Sequence, residues 1–163
     1  MVFIPRYTVV EDQFNTYDAA DANTGAFEAY SGMVVSYTGD ELVAVVASGT
    51  TPQGFLMQNV KHSYPNLPAG FRFTGDLGSS DAFLGEPVAV AHGGGVADVN
   101  QYDDDLGGGI SAGDNMYAKA GGKITNDVSL SVTGGDDPVA VSKVDVSADA
   151  IAGGKRLRIK ILL

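Results

Sequence analysis

The sequence predicts an all-β protein, and two observations carry this prediction. The chain of 163 residues contains 22 glycines, and its valines crowd into runs such as residues 43–46 and 139–144. β-Branched residues favour strands, and frequent glycine favours short connections over long helices. A chain of this length can bury one hydrophobic core of its own. We therefore expect a single β-rich domain over residues 31–163, preceded by an N-terminal arm over residues 1–30.

The predicted arm is distinguished by its aromatic content. Residues 1–30 hold six of the chain's 14 aromatic residues and have no clear helical or strand period after Val10. Aromatic groups along an irregular segment are costly in water unless they dock on a surface. The arm is therefore expected either to wrap its own barrel or to lie on a neighbouring subunit. Residues 11–22 could form a helical turn or two, although Asn15 and Thr16 disfavour a helix.

Strand patterns begin after the arm. Apolar runs at residues 32–37 and 41–46 flank a turn and predict a hairpin, and residues 54–60 predict a third strand. Residues 83–91 predict another strand, in which Pro87 places the first half at a sheet edge.

A similar pattern recurs in the second half of the chain. Residues 115–118 and 123–125 flank a glycine pair and predict a second hairpin. After Pro138, apolar residues at 139, 141 and 144 predict a third strand with one face toward a core. The recurrence makes an internal structural duplication an open alternative. Residues 148–154 are expected to form a turn or one helical turn.

Charge alternates with aliphatic side chains near the C-terminus, over residues 156–161. This alternation predicts a strand with one wet face and one buried face, with Ile159 and Ile161 in the core and the strand closing the domain. Residues 1–152 contain six basic and 20 acidic residues, a charge of −14, and the last residues add +4. An acidic body repels nucleic acid and anionic lipid, so the expected partner is a cationic or polar protein surface.

The sequence offers no recognisable catalytic or metal-binding set. The run from His92 to Gly95 is similar to an oxyanion-hole loop, but the chain has no G-x-S-x-G nucleophile turn and only two histidines. Asp103, Asp104 and Asp105 lack the alternate-residue spacing and the distal glutamate of a calcium loop, so a solvated acidic turn is expected. With no cysteine, thiolate chemistry is excluded. We expect no enzyme activity, no cofactor and no metal.

Targeting and membrane signals are also missing from the pattern. The N-terminus lacks the apolar run of a secretory signal, and no window approaches the roughly 18 apolar residues of a membrane span. The expected protein is soluble, with no membrane partner.

Four segments of the second half resemble the head decoration (cement) proteins of tailed phages, whose layout is "aGd-x-vY … g-k-v-T … vG-x-a … G-x-x-v-r-V-x-L". The segments are Ser111-Ala112-Gly113-Asp114-Asn115-Met116-Tyr117, Gly122-Lys123-Ile124-Thr125, Pro138-Val139-Ala140-Val141-Ser142 and residues 152–162. The resemblance covers roughly 50 residues well and residues 32–60 loosely. The aromatic arm and the loop at residues 62–81 depart from the layout.

The resemblance implies a non-enzymatic small β-barrel, β-tulip or jelly-roll-like body with an extended N-terminal arm. It implies a protein made in the host cytoplasm that binds the major capsid protein on the outer surface of the virion, as a homo-oligomer, with a trimer favoured. The alternatives are another virion β-module, such as a tail or fibre component, and a carbohydrate-binding jelly roll.

If the chain is a cement protein, the arm is expected to contact the capsid or a neighbouring copy. Aromatic and arginine side chains supply most of the energy at such contacts. The expected contact residues are Phe3, Ile4, Arg6, Tyr7, Phe14 and Tyr17. Removal of residues 1–10 is expected to leave the barrel folded and to weaken capsid binding.

Overall fold

The computed structural model describes residues 3–6, 10–17, 29–61, 81–83 and 87–163, with the backbone alone at 10–14, 81 and 83. Its strands are β1 (Phe3–Pro5), β2 (Val10–Tyr17), β3 (Val34–Gly39), β4 (Leu42–Val45), β5 (Gly54–Leu56), β6 (Asn59–Lys61), β7 (Asp81–Phe83), β8 (Pro87–His92), β9 (Val96–Val99), β10 (Tyr102–Asp103), β11 (Asn115–Ala118), β12 (Ile124–Thr125), β13 (Ala140–Ser142) and β14 (Leu157–Ile161). One 3₁₀ turn (Val128–Leu130) and the helix α1 (Ala148–Ala152) complete the described elements.

The predicted all-β class is confirmed. Five strands form a closed barrel in the order β2-β4-β3-β5-β8, and seven form a sheet in the order β1-β9-β14-β13-β11-β12-β10. Strands β6 and β7 make a separate parallel pair. The short helix α1, which begins at the N-cap Ser147, lies where one helical turn was expected.

The barrel contains the first predicted hairpin. Strands β3 and β4 pair antiparallel, as the turn between them requires. The predicted third strand at residues 54–60 is divided in two: β5 joins the barrel, and β6 leaves it to pair with β7. Strand β8 lies between β2 and β5, with Pro87 as its first residue, a position that needs no backbone donor.

Strand β2 overlaps residues 11–22, where a helical turn or two was an alternative expectation. It pairs antiparallel with β8 and parallel with β4, and its register shifts between Asp12 and Asn15. A bulge of this kind interrupts the two-residue alternation of side chains. The missing strand period after Val10 therefore has a structural cause.

The second predicted hairpin and its third strand lie together in the seven-stranded sheet. Strand β11 pairs antiparallel with both β12 and β13, just as β3 pairs with both β4 and β5. The order second-first-third thus occurs in both halves of the chain. The predicted face of the third strand is only partly correct: Val139 is buried in the larger cluster and Val144 packs against it, but within β13 Ala140 and Ser142 are buried and Val141 only partly.

Strand β14 has the predicted alternation. Leu157, Ile159 and Ile161 are fully buried, and Arg158 and Lys160 are exposed. The strand lies between β9 and β13 inside the seven-stranded sheet. It does not belong to the closed barrel, which other strands form, and the expectation that it closes the whole β-rich domain stays a prediction.

Two hydrophobic clusters form the core. The smaller one takes side chains from all five barrel strands, including Val35, Leu56 and Val90, and so fills the barrel interior. The larger one joins the inner face of the seven-stranded sheet to the outside of the barrel, through neighbours such as Val34 and Phe55. Adjacent residues of β3 and β5 therefore face different cores, which explains their continuous apolar runs.

Candidate functional site

The structure places the predicted contact residues in different environments. Phe3 is 8% exposed and belongs to the larger core cluster, with its ring centroid 6.2 Å from that of Phe55. Ile4 and Tyr17 are partly buried, and Tyr17 packs against the smaller cluster. Phe3 is thus a core residue in this fold, which argues against the prediction that it anchors a partner.

Two of the predicted contact residues cannot be placed. Tyr7 lies outside the described residues, and the side chain of Phe14, on β2, does as well. The described parts of residues 1–30 pair with the chain's own strands: β1 with β9, β2 with β4 and β8. Removal of residues 1–10 would delete β1, an edge strand of the seven-stranded sheet, together with the buried ring of Phe3, but only Val10 from the barrel strands. The expectation that the barrel stays folded without these residues stays a prediction.

Arg6 takes part in a three-residue ion cluster with Asp98 and Arg158. Arg6 Nη2 lies 2.6 Å from Asp98 Oδ2, and Arg158 Nε lies 2.7 Å from Asp98 Oδ1. The Asp98 side chain is 8% exposed, whereas those of Arg6 and Arg158 are 43% and 45% exposed. The cluster links the first strand of the chain to the last strand across β9.

The arginines stabilise the charged form of Asp98. Hydrogen bonding from Arg158 holds the pKa of the Asp98 carboxyl below its usual value, with a further contribution from Arg6, and together they outweigh the opposing effect of burial. Arg6 therefore has a structural partner within the chain, while nearly half of its side chain still faces solvent.

The aspartates of residues 103–105 are engaged by the neighbouring hairpin. Lys123 Nζ lies 2.8 Å from Asp103 Oδ1, and Lys119 Nζ lies 2.9 Å from Asp105 Oδ1. Thr125 donates its hydroxyl hydrogen to Asp105 Oδ2 at 2.6 Å. The expected solvated acidic turn is partly correct: these side chains remain partly exposed, but they also bind Lys119 and Lys123, in the turn between β11 and β12, and the hydroxyl of Thr125 on β12.

Burial disfavours ionisation of Asp105, but the hydrogen bonds from Thr125 and Lys119 more than compensate, and the pKa of this carboxyl is lowered. The pKa of Lys119 is raised in return, chiefly by its hydrogen bond to Asp105. Both groups are thus held in their charged forms at neutral pH.

The middle aspartate fixes the loop that follows. Asp104 accepts hydrogen bonds from the backbone N–H of Gly109 at 2.7 Å and from Asn126 Nδ2 at 2.7 Å. The side-chain amide oxygen Oδ1 of Asn126 in turn accepts from the backbone N–H groups of Asp105, at 3.1 Å, and Leu106, at 3.4 Å. The loop at residues 104–109 is therefore held at both ends by side-chain hydrogen bonds.

Leu106, at the centre of this loop, is 65% exposed, the highest value among the exposed large hydrophobic residues of the described chain. Val128 and Leu130, each 40% exposed, follow Asn126 closely in the chain, and Asp127 caps their 3₁₀ turn. We call Leu106, Val128 and Leu130 the apolar corner. A rigidly held, exposed apolar group is suited to binding, because little conformational entropy remains to be lost.

The glycine run after His92 has a structural function. The Gly93 N–H donates to the carbonyl of Leu163 at 2.7 Å, which joins the end of β8 to the C-terminus. This N–H group is therefore occupied within the fold, and it does not face an open site of the oxyanion-hole type.

The described residues contain no group of three or more histidine, aspartate or glutamate side chains placed to hold a metal ion. Within the same part of the chain, no helix has the length and apolar character needed to cross a membrane.

Comparison with known proteins finds no match to a protein-family model and no match among curated proteins.

The segments that carry the decoration-protein layout lie side by side. They contribute β11, β12, β13 and β14, which are consecutive hydrogen-bonded neighbours in the order β14-β13-β11-β12. Sequence reasoning did not identify Leu106 or Asp98. The signal for Leu106 was available, since an isolated leucine between an acidic run and three glycines has no strand partner; Asp98 carried no local signal.

Proposed function

We propose that this chain is a structural virion protein that binds the outer surface of an assembled phage capsid and stabilises the shell. Its partner is the major capsid protein, and it acts as a homo-oligomer, with a trimer favoured. In this role it has no catalytic activity and engages neither nucleic acid nor membrane.

The observation that carries the proposal is the arrangement of the four resembling segments. They are separated by up to 12 residues along the chain, yet their strands form one continuous part of a sheet. Turn glycines alone are a weak signature, since they occur in many β proteins. A layout whose segments also pair with one another in a sheet is a stronger signature, because the layout describes residue types along the chain and does not specify which strands pair.

The apolar corner is the surface we propose for capsid contact. Phe3 is committed to the core, so an anchor must come from elsewhere, and Leu106 is both exposed and positioned by hydrogen bonds. An aliphatic side chain can serve as the central anchor of an interface by filling an apolar pocket of the partner. Ile4 and Arg6, which are partly exposed, remain candidate contacts at a second surface.

The proposal is tested by adding purified protein to capsids that lack decoration and measuring occupancy by electron cryomicroscopy. We expect saturable binding to the outer surface of heads and an increased thermal resistance of the shell. Isolated tails serve as a parallel substrate. Binding to tails and not to heads would overturn the proposal and support a tail or fibre component.

The contact surface is tested separately with Leu106→Ser. Leu162→Ser is the matched control, because Leu162 is also exposed, at 44%, but lies just beyond β14. Loss of a central anchor should weaken occupancy by at least about tenfold, with no effect on the control. Equal occupancy of the two variants would show that the apolar corner is not part of the capsid interface. Capsid binding itself is tested separately, with the unmodified protein.

A further inference from the structure

The outer face of the seven-stranded sheet gathers basic residues from distant parts of the sequence. Register places Arg158 opposite Asp98, and the Lys143 N–H donates to the carbonyl of Arg158 at 2.8 Å. Lys160 lies on β14, as Arg158 does, and is paired with Val141 of β13. Arg6, which follows β1, contacts Asp98. The opposite side of β14 is the core. We call Arg6, Lys143, Arg158 and Lys160 the cationic face.

This face differs in sign from the rest of the protein. With Asp98, it carries a formal charge of +3, so the remainder of the −10 chain carries −13. Arg6 and Arg158 share Asp98, but Lys143 and Lys160 are exposed, and no carboxylate among the described residues forms an ion pair with either lysine. Lys143 and Arg158 also lie directly opposite each other on neighbouring segments of the sheet, and like charges in this position are destabilising.

An acidic loop precedes β13, at the opposite end of this strand from Lys143. Asp136 and Asp137 are exposed and follow Gly134 and Gly135, just before β13. No basic side chain of the described residues forms an ion pair with them. Asp137 precedes β13 and Lys143 follows it, and six residues of extended chain span roughly 20 Å. The acidic loop (residues 134–137) therefore cannot neutralise Lys143 of its own chain.

The dimensions of the cationic face favour a small acidic protein segment over nucleic acid. Four adjacent strands, β1, β9, β14 and β13, are about 14 Å wide, and five residues of β14 are about 16 Å long. A duplex carries one charge per about 1.7 Å and extends well past such an area. It would then meet the remainder of the chain, which is strongly acidic. A loop with two carboxylates fits within the face.

We propose that a second copy of this chain places its acidic loop on the cationic face, so that copies associate head to tail. The two surfaces lie at different positions on each copy, which makes the contact heterologous and able to close into a ring. The inference rests on the self-association included in the proposed function, but it requires no capsid. Head-to-tail association could therefore be disproved while capsid binding is confirmed, and capsid binding could be disproved while head-to-tail association is confirmed.

The experiment measures association of the full chain by sedimentation velocity over a range of protein concentrations. Raising the salt from about 0.1 M to about 1 M shortens the Debye length from about 10 Å to about 3 Å, which should weaken the assembly. Reversing the face with Lys143→Glu and Lys160→Glu, or the loop with Asp136→Lys and Asp137→Lys, should each weaken association at least about tenfold.

The decisive variant combines both reversals, because it restores opposite charges across the contact and should recover association. Asp149→Lys, an exposed charge reversal on α1 outside both surfaces, is the control and should have no effect. Circular dichroism establishes that each variant is folded, and Lys143→Gln with Lys160→Gln replaces the glutamate pair if that pair unfolds. A chain that is monomeric throughout, or an oligomer that tolerates either reversal, would overturn the inference, as would failure of the combined variant to recover.

Discussion

Gly122 is the point at which the turn between β11 and β12 touches the barrel. Its carbonyl accepts a hydrogen bond from the Val34 N–H at 2.7 Å. A Cβ atom at this position would lie 2.7 Å from Val45 Cγ1 and 2.9 Å from Met33 Cβ. The neighbouring Gly121 has open space around the same position. The substitutions Gly122→Ala and Gly121→Ala therefore separate a steric effect from a backbone effect.

The two glycines share the same backbone penalty. Their φ values are +80° for Gly122 and +88° for Gly121, both in the left-handed region. Placing alanine there costs about 1–2 kcal/mol, partly offset by the lower entropy of the unfolded chain. At Gly122 the new methyl group also overlaps Met33 Cβ, which cannot swing away, and overpacking of this kind costs about 1–3 kcal/mol more. We expect about 1 kcal/mol for Gly121→Ala and about 2–4 kcal/mol for Gly122→Ala.

The assay is urea denaturation at equilibrium, followed by far-ultraviolet circular dichroism because the chain has no tryptophan. Both variants should keep the m-value of the original protein, since the surface exposed on unfolding is unchanged. Losses of stability that agree within about 0.5 kcal/mol would refute the reasoning. They would mean that the turn does not pack closely against the barrel.

Other substitutions test the ion cluster and the strand assignments. Asp98→Asn should lower the free energy of unfolding by about 1–3 kcal/mol. The pKa of Asp98 is lowered from 3.8 in the folded chain. The difference in free energy of unfolding should therefore be complete above pH 3.8 and shrink as the pH falls through the folded pKa. A difference independent of pH in urea titrations would contradict the cluster. Ile159→Ala should cost about 2–5 kcal/mol, while Lys160→Ala should stay within about 0.5 kcal/mol, and equal losses would reverse the assigned faces of β14. Phe3→Ala should cost about 3 kcal/mol in the same assay, and unchanged stability would place the N-terminal segment outside the core.

Local patterns in the sequence were sufficient for several elements. The alternation at residues 156–161 predicted both the strand and its buried side, because successive side chains of a strand point to opposite faces. A glycine pair predicted the second hairpin, because Gly121 and Gly122 adopt positive φ values without steric cost, whereas the positive-φ residue in the first hairpin is Glu41. These features depend only on neighbouring residues.

The sequence was misleading at β2 and β13. Strand β2 is polar and bulged, so it lacks the alternation by which a strand is recognised. In β13 the apolar residues suggested one face, but the core contacts Ala140 and Ser142. Small residues at these positions allow close packing inside the sheet, and this requirement is set by the neighbouring strands.

The tertiary structure alone decided how the charges and the N-terminal segment are used. Asp98 meets Arg6 and Arg158, which are 92 and 60 positions away, and Phe3 enters the core because β1 pairs with β9. The same long-range pairing brings Lys143 and Lys160 onto one face with these arginines. No local pattern specifies such partners, because a strand can form the same hydrogen bonds with any suitable neighbour. Which neighbour it meets depends on the closure of the whole chain around its two cores.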